Sequence, residues 1–469
     1  MNRLNCTVLV FLLLLTTQTS IFGQGEDIAL KDTLNLKVKD TPPPKIPKRF
    51  FPTALEILGT DILINRYDAN LRNVHWAKVT PANWKKNLQT GFKADYDHFS
   101  TNWLGHPTHG SYFYNFARSN GYNYWQSIPF TLGGSLMWEY FGETYPASEI
   151  DVLTTTFGGI YLGEMTHRFS KVIKNRVKNK FLKYTAMTIL NPADRINSLF
   201  YKDKGSVTAS EDPIIRGRLS GGSSFPFGDI DGSNFTPRAY LSFNLIYGDL
   251  FEDQQKKYRP FDYFVFKTWA NVTFNKKDSI YLNISSYAPL FLKRLNENAA
   301  LSVSQHYDYL YTDVYKLGSL AITGDYSQRY DLNKHNRVMF SLKAGVIIFG
   351  SSQSEIVDYI YHSSDPEFER DYVYGSGLTG AIEFAMRTEK YGSLTGNINK
   401  WTIFTRRDAI GTENLTLMIL EYNYPVWKKL ALGLQANYYK RLAKYKDLKE
   451  FAHIEKDYYE LKTMVNFTF

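Results

Sequence analysis

Cysteine is almost absent from this chain of 469 residues, which contains only Cys6. Cys6 lies within an amino-terminal segment that we expect to be removed, so the mature chain relies on neither disulfides nor thiol chemistry. Long apolar runs are also absent, since none reaches the roughly 18 residues that a membrane-spanning helix requires. No Gly-x-Ser-x-Gly turn occurs, so hydrolysis by a serine on such a turn has no local signature.

Clustered basic charge is missing too, although 55 Lys and Arg outnumber 46 Asp and Glu and the formal net charge is +9. The basic residues are spread over predicted turns and loops, and no nucleic-acid-binding motif is recognisable. We therefore expect no nucleic-acid partner. A surface that meets anionic lipopolysaccharide explains the excess of positive charge more simply.

Aromatic residues, in contrast, are abundant: the chain has 35 Tyr, 32 Phe and 8 Trp, although its mean hydropathy is −0.34. A transmembrane β-barrel combines these two properties. Its outer face is apolar, its lumen is polar, and aromatic belts lie at both membrane interfaces. The composition therefore favours a barrel over a helical membrane protein.

From about Ile214 onward, apolar and polar residues alternate with a period of two, which indicates strands with one apolar face. The clearest segment is residues 429–441, where Leu432 and Leu434 alternate with polar positions such as Gln435. Strands of this length are expected where the outer face meets lipid and the inner face meets a water-filled lumen. We therefore predict that arginine is tolerated at Gln435 but not at Leu434.

The alternation predicts a membrane all-β barrel of about twelve antiparallel strands, give or take two, over residues 214–469. About eleven of these strands follow residue 214, and residues 87–96 are a candidate for one more. The short turns expected on the periplasmic side lie at residues 276–278, 334–336, 390–391 and 425–426, with longer external links at 351–371 and 443–456. This assignment leaves three strands between residues 278 and 334 where an even number is needed, so one assignment there must be wrong.

The final strand, Leu461 to Phe469, places Phe469, Phe467 and Val465 on one face and mainly polar residues on the other. An amphipathic last strand that ends in Phe resembles those of bacterial outer-membrane barrels, whose assembly machinery recognises an aromatic carboxy-terminal strand. We therefore predict that Phe469 is an assembly signal. The expected partners are the outer-membrane assembly machinery, outer-membrane lipid and lipopolysaccharide.

The amino terminus predicts export. Arg3 precedes an apolar core from Val8 to Leu15, and residues 21–23 resemble a signal-peptidase site. We therefore predict a signal peptide over residues 1–23, an extended linker over 24–52, and an outer-membrane location after cleavage.

Between the linker and the barrel, residues 53–200 have a mainly helical period. Residues 53–65 form one predicted amphipathic helix, in which Leu55, Leu58, Ile62 and Leu63 have helical spacing. Four more helices are expected between Gly105 and Phe200, with starts near Pro107, at Ser127, at Ser148 and at Asn191. We predict that this subdomain plugs the barrel or caps it from the periplasm.

The helical subdomain contains the most distinctive motifs of the chain. In order, these are Gly91–Asp97, His106–Ser111, Ala117–Tyr122, Ser135–Glu139, Pro146–Asp151 and Gly159–Glu164. This order resembles the uncharacterised bacterial family catalogued as domain of unknown function 3943, which looks like exported Gram-negative proteins of outer-membrane type. The resemblance densely covers roughly a fifth of the chain and implies no established activity.

Ionisable residues of this block have spacings that could build a site. Glu139 and Glu143 are four residues apart on one helix face, and Glu164 and His167 have the Glu-x-x-His spacing of di-metal bundles. His106 and His109 lie three residues apart at a helix start. These groups are candidates for an acid-base pair or a divalent metal site, although we predict no cofactor.

Structural explanations compete with each of these candidates. A di-metal bundle needs two Glu-x-x-His motifs and the chain has one, Asp151 is explained by helix capping, and Glu139 could pair with Arg118. The small residues Gly159 and Gly163 have the spacing that allows two helices to approach closely. We expect close helix packing to be their role.

The functional prediction is a barrel of unknown specific activity that serves structure, gated passage or envelope organisation. The alternative is an outer-membrane enzyme that acts on lipid or lipopolysaccharide through the His/Glu cluster. Conductance through planar bilayers would favour the first function, and a bound metal or altered lipid A would favour the second.

Overall fold

The computed structural model describes residues 46–94, 96–201, 213–227, 236–251, 257–273, 280–357, 370–406, 409–446 and 453–469. These residues form two compact units. The helical unit contains the described residues up to 94 and from 100 to 213, and the barrel unit contains residues 96–99 and 214–469. The predicted signal peptide, and the predicted linker up to residue 45, lie outside the described residues.

The helical unit contains eight α-helices in its described residues, together with three single wider turns that adjoin four of them. The α-helices are α1 (Phe50–Arg66), α2 (Pro81–Thr90), α3 (His106–Ser119), α4 (Tyr124–Phe141), α5 (Glu149–Leu153), α6 (Gly159–Arg176), α7 (Lys180–Leu190) and α8 (Pro192–Phe200). The wider turns are Tyr67–Leu71 after α1, Thr101–Gly105 before α3, and Thr154–Gly158 between α5 and α6. None of the described helices combines the length and the apolar content needed to cross a bilayer.

Local capping explains where several of these helices begin. The Ser148 hydroxyl accepts from the Asp151 N–H (3.2 Å), and the Asn191 side chain accepts from the Asp194 N–H (3.0 Å). Both starts agree with the sequence prediction. Helix α4 starts earlier than predicted, because Asn123 and not Ser127 provides its cap.

The predicted strand at residues 87–96 is absent from the described residues. Asn87 instead belongs to the last turn of α2, and Lys93 makes only an isolated bridge to Ser148. The prediction was wrong because Thr80 caps Pro81 at a helix start, a signal for helix α2 that lies upstream of the apparent alternation. Helix α7 was also missing from the prediction.

The barrel unit contains twelve antiparallel strands in its described residues, and they close on themselves. The strands are β1 (Ile215–Phe227), β2 (Arg238–Tyr247), β3 (Phe264–Val272), β4 (Ile280–Asn296), β5 (Ala299–Tyr311), β6 (Lys316–Asp331), β7 (Arg337–Gln353), β8 (Tyr372–Thr388), β9 (Gly392–Arg406), β10 (Gly411–Trp427), β11 (Leu430–Tyr445) and β12 (His453–Thr468). Each strand pairs with its sequence neighbours, and β12 pairs with β1. The predicted twelve-stranded barrel with an amino-terminal helical region is therefore confirmed.

The seam between β1 and β12 is reinforced by the last residue. The Phe469 N–H donates to the Gly217 carbonyl (3.0 Å), and the Gly217 N–H donates to the Phe469 carbonyl (2.9 Å). The Phe469 ring covers Gly217, where a Cβ atom would lie 2.2 Å from the ring. The assembly-signal role of Phe469 stays a prediction.

The two faces of the strands follow the predicted alternation. On β11, Leu432 and Leu434 are 55% and 48% exposed, whereas Gln435 is 5% exposed and points into the lumen. The outward positions of β8, β9 and β10 carry similarly exposed apolar residues, including Leu378, Ile398 and Leu420. The barrel therefore has an apolar outside and a polar inside.

The connections at the two barrel ends differ from the prediction at two places. Pro425 and Val426 lie within β10, and the turn predicted there is at residues 428–429 instead. The turns at 332–336, 389–391 and 428–429 lie at the end where β1 begins and β12 finishes. Residues 276–278 lie outside the described residues, but β3 ends and β4 begins at the opposite end of the barrel. Three strands between residues 278 and 334 are correct, and the predicted side of residues 276–278 was wrong.

The lumen is packed where the sequence predicted water. Gln435 donates to the Asn437 side chain (2.8 Å) and lies opposite Lys462 of β12, whose side chain is fully buried. Lys462 in turn contacts the Glu460 carboxylate at 3.2 Å. Inward side chains at this height therefore cover one another, and the expectation of a wet surface at Gln435 is overturned.

Candidate functional site

The buried carboxylate of Glu164 on α6 is held by two arginines. Arg118 Nε and Arg168 Nε each lie 2.7 Å from it, and the Tyr114 hydroxyl donates to it at 2.9 Å. Burial alone would raise the pKa of Glu164, but the charges of Arg118 and Arg168 outweigh it and the pKa is lowered. Arg118 therefore pairs with Glu164, and not with Glu139 as predicted.

His167 lies one turn further along α6 and is buried. Neither of its ring nitrogens has a hydrogen-bond partner among the described residues. Burial, together with the positive charges of Lys171, Arg118 and Arg168, places the pKa of His167 well below its usual value. The imidazole is therefore neutral at pH 7.

His106 and His109 turn to different carboxylates, although both lie on the first turns of α3. His106 Nε2 lies 3.5 Å from Asp151 Oδ1, and His109 Nε2 lies 3.2 Å from Asp61 Oδ1. The His109 ring also packs edge-on against Trp138, with ring centroids 4.9 Å apart. The three-residue spacing therefore does not bring the two imidazoles to one site.

Glu139 and Glu143 accept hydrogen bonds that position the segment following α4. Glu139 accepts from the Ser148 N–H (2.8 Å), and Glu143 accepts from the Trp138 indole N–H (2.8 Å). Among the described residues, no three His, Cys, Asp or Glu side chains come together in a way that could hold a metal ion. The structure thus places the six candidates in separate contacts, and their catalytic or metal roles stay predictions.

The glycines of α3 and α6 allow the close helix packing that the sequence predicted. A Cβ atom on Gly159 would lie 2.5 Å from the Gly110 carbonyl carbon, and one on Gly163 would lie 2.7 Å from the Tyr114 ring. A Cβ on Gly110 would lie 1.8 Å from the Thr155 carbonyl oxygen. Such contacts leave no room for a side chain, so the packing role is confirmed.

In the barrel unit, the β5–β6 connection Thr312–Tyr315 folds into the lumen. The Thr312 hydroxyl accepts from the Val314 and Tyr315 N–H groups at 3.3 and 3.1 Å, which tightens the turn. Val314 and Tyr315 are buried, and the Tyr315 hydroxyl donates to the Thr416 carbonyl on β10 (3.2 Å). We call residues 312–315 the inward turn.

The inward turn belongs to an apolar layer that fills the lumen. Its buried members are Tyr240, Trp269, Leu310, Val314, Tyr315, Leu317, Ala321, Ile347, Trp401, Ile403, Leu415, Leu417, Tyr439, Tyr458 and Met464. The Tyr315 and Tyr439 rings meet edge-on with centroids 6.2 Å apart. Asp313 anchors the turn by accepting from Arg238 of β2 at 3.0 Å. The layer thus joins the inward turn to strands on several sides of the barrel.

A polar cavity of about 30 Å³ lies against this layer at Trp401. Five ionisable side chains contribute to its lining: Lys267, His306, Asp308, Lys343 and Glu383. Lys343 Nζ lies 2.8 Å from Glu383 and 3.3 Å from the centre of the Tyr287 ring. This volume is enough for about two water molecules, so the cavity is too small for a larger solute to pass.

At the end of the barrel with the longer connections, Arg441 of β11 is fully buried between two carboxylates. It contacts Glu413 at 2.9 Å and Glu355 at 2.8 Å, and it donates to the Gln353 carbonyl at 2.6 Å. Glu355 lies just after β7, and Ile356 beside it is buried. The beginning of the β7–β8 connection therefore closes over this end of the lumen.

None of these luminal residues was predicted from the sequence to be functional. A signal was nevertheless present, because Asp308, Lys343, Glu383 and Arg441 are charged residues at inward positions of β5, β7, β8 and β11. The inward turn carried no such signal. Residues 312–315 resemble an ordinary short hairpin connection, and only the folded barrel places Tyr315 beside β10.

The family resemblance is confirmed over residues 91–193, which match the model of Domain of unknown function (DUF3943). This range spans α3 to α7 with their flanking segments and lies in the helical half of the chain. No curated protein matches the sequence.

Among solved structures, the chain is similar to an outer membrane channel from Pseudomonas putida F1, at 12% identity and a TM-score of 0.28, covering 54% of this chain and 95% of that one. The outer membrane channel DcaP of Acinetobacter baumannii has 10% identity, a TM-score of 0.21, and coverage of 55% and 97%. The CymD monoaromatic hydrocarbon channel has 9% identity, a TM-score of 0.23, and coverage of 54% and 87%. These scores are too low to assign a substrate, and the barrel itself is established by its strand pairing.

Proposed function

We propose that the protein is an outer-membrane β-barrel that provides gated passage for small polar solutes, with the described state closed. The apolar outer face and the absence of an unpaired edge among the described strands support a position in the bilayer. Outer-membrane lipid, lipopolysaccharide and the assembly machinery are the partners that this proposal requires. A helical unit that plugs or caps the barrel remains part of the proposal.

The observation that carries the proposal is the inward turn. Residues 312–315 form a short hairpin tip that occupies the lumen, and the Tyr315 hydroxyl makes a single neutral hydrogen bond to the β10 backbone. Such a bond contributes only about 0.5–1.5 kcal/mol, so the cost of moving the tip is set mainly by the Asp313–Arg238 ion pair and by the apolar packing of Val314 and Tyr315. A small hinged element of this kind can open without unfolding the strands.

The polar character of the lumen supports passage over a purely structural role. Buried ion pairs such as Lys343–Glu383 and Arg441–Glu413 contribute little net stability, and apolar residues of similar volume often replace them without loss. A barrel that only needed a filled interior would be more stable with an apolar one. Charged inward side chains are useful when the lumen fills with water in the open state.

Planar-bilayer conductance tests the proposal. We expect the wild-type protein to show rare openings and Tyr315→Ala to show frequent ones, because the substitution removes both the Thr416 hydrogen bond and the ring that fills the lumen. Tyr315→Phe keeps the ring and should change the open fraction much less. Tyr330→Ala, at an exposed position near the β6–β7 turn, serves as the matched control.

Heat-modifiable migration of the folded barrel on gels shows whether each variant retains its strands. If wild type, Tyr315→Ala and the Val314→Ala/Tyr315→Ala double variant are all folded and none conducts, the passage function is wrong. A structural or envelope-organising role would then remain.

The alternative function, an enzyme acting on lipid or lipopolysaccharide, has less support. Its candidate residues His106, His109, Glu139, Glu164 and His167 occupy separate contacts in the helical unit. Activity against lipid A that is lost in Glu164→Gln while the barrel stays folded would favour it.

A further inference from the structure

Helix α1 has its apolar side turned outward. Its buried positions are mostly polar, and they are Thr53, Ile57, Asp61 and Asn65, with Asp68 in the following turn. The opposite side carries Phe51, Leu55 and Leu63, which are 76%, 65% and 71% exposed, together with exposed Leu58 and Ile62. These five residues are termed the apolar ridge. The sequence predicted the helix and its spacing, but it did not predict this orientation.

Polar contacts hold α1 in this orientation. Asp61 faces His109 at 3.2 Å, and the Asn65 amide donates to the Ala77 and Gly142 carbonyls at 2.9 and 2.8 Å. Rotating the helix to bury its leucines would leave these buried groups without partners, at a cost of about 1–3 kcal/mol for each group. The exposure of the apolar ridge is therefore a stable feature of the fold.

The exposed apolar surface continues at the end of α8. Leu199 and Phe200 are 66% and 75% exposed. The next residue, Tyr201, lies under the Arg49 guanidinium, which is 3.6 Å from its ring centre and directly precedes α1. The start of the apolar ridge and the end of α8 are thus neighbours on one surface.

The exposed ionic side chains of the helical unit are of one sign. Among the described residues of the helical unit, no Asp or Glu is exposed, because each is buried or partly covered. The exposed ionic residues are all basic, and they are Lys48, Arg66, Arg72, Lys78, Lys85, Lys86, Lys93, Lys178 and Lys180. Phe and Leu flanked by Lys and Arg are typical of helices that lie in the headgroup region of an anionic membrane.

We propose that the helical unit docks through the apolar ridge and Phe200 onto the surface of an anionic phospholipid bilayer. The apolar side chains enter the boundary between headgroups and acyl chains, and the basic residues remain among the phosphates. The proposal is independent of whether the barrel conducts.

Site-directed fluorescence on the full-length protein in nanodiscs tests the docking. In a Cys6→Ser background, Leu55→Cys and Leu63→Cys carry an environment-sensitive label, with Gln89→Cys on α2 as the exposed polar control and Leu434→Cys as the lipid-facing control. The discs contain either phosphatidylcholine alone or phosphatidylcholine with phosphatidylglycerol.

We expect labels at positions 55 and 63 to be quenched by spin-labelled lipid and protected several-fold from iodide relative to position 89, more strongly with phosphatidylglycerol. Lys178→Glu/Lys180→Glu should weaken this protection without changing the label at position 434. Equal iodide quenching at positions 55, 63 and 89 in both kinds of disc would overturn the proposal. Protection from iodide without quenching by lipid would also overturn it, because a protein and not a bilayer would then cover the ridge.

Discussion

The barrel unit and helix α1 both turn apolar residues outward, yet the sequence predicts only the first orientation. On a strand such as β11, a period of two together with the requirement for a lipid-facing side identifies Leu434 as outward. On α1, an amphipathic pattern of this kind predicts one apolar and one polar face, but it does not predict which of the two is buried. The buried face is decided by distant partners, such as His109 for Asp61.

The largest effect is expected for a substitution in the polar interior of the helical unit. Glu164→Gln removes the negative charge that both Arg118 and Arg168 contact and leaves two cations in a buried site. We expect a loss of about 3–5 kcal/mol in the free energy of unfolding, measured by denaturant titration of the helical signal. Glu143→Gln, which disturbs one partly covered hydrogen bond, should lose only about 0.5–1.5 kcal/mol. Equal losses would show that the Glu164 ion pairs do not dominate.

The second prediction compares a positive charge on the outer face of the barrel wall with one on its inner face. Leu434→Arg brings a cation to the lipid face and should cost about 2–4 kcal/mol near the middle of the bilayer. Gln435→Arg should cost a comparable amount for a different reason, because it adds a buried cation opposite Lys462. Urea-induced unfolding in lipid vesicles measures both. A cost near zero at Gln435 would mean that the lumen is hydrated at that height.

The third prediction concerns the closest helix contact. Gly159→Leu forces a side chain into the Gly110 backbone and should destabilise the helical unit by about 1–3 kcal/mol or more. Gly133→Leu is the matched control, because a Cβ atom on Gly133 has no neighbour within 4 Å. Thermal unfolding of both variants distinguishes the two sites, and equal melting temperatures would contradict the packing role.

The smallest expected effect is a pH dependence from His167. Because its pKa is lowered in the folded state from the usual 6.5, the unfolded chain binds a proton below that pH and the folded chain does not. The His167 contribution to stability should therefore fall as the pH drops below 6.5, by up to about 1.4 kcal/mol per pH unit, whereas Glu56, whose pKa is raised to about 7 by burial, contributes in the opposite direction. Glu164, with its lowered pKa, adds a further loss only at more acidic pH. His167→Phe should change the slope of stability against pH between 6.5 and 5.5 by the His167 contribution, measured by urea titrations, and an unchanged slope would contradict that contribution.

The barrel was predictable from the sequence because its rules are local. Alternation identifies each strand, and closure follows from the need to pair both edges in lipid. The side of residues 276–278 was assigned wrongly because a short turn was taken as evidence for the periplasmic end. Turn length does not distinguish the two ends of this barrel. Residues 312–315 form a short turn at the end opposite the turns at 332–336 and 428–429.

The candidate site was much less predictable. Helical spacing correctly places Glu164 near His167 and His106 near His109, but it does not determine which side chains reach each of them from other helices. Arg118 and Asp61 are remote in sequence from their partners, so their pairing follows from the packing of α1, α3 and α6. The inward turn depends on the Tyr315–Thr416 contact across the barrel, which no local pattern encodes.

The closing seam determines the order in which the barrel can form. Every other strand pair of the described barrel is a hairpin between sequence neighbours, whereas β1 meets β12 only after the intervening ten strands are in place. Loop-closure entropy grows slowly with chain length, and contacts between distant residues form late during folding. Until the Gly217–Phe469 contact forms, an intermediate has two unpaired strand edges. Those edges are where chaperones must act, and where aggregation begins if the seam is delayed.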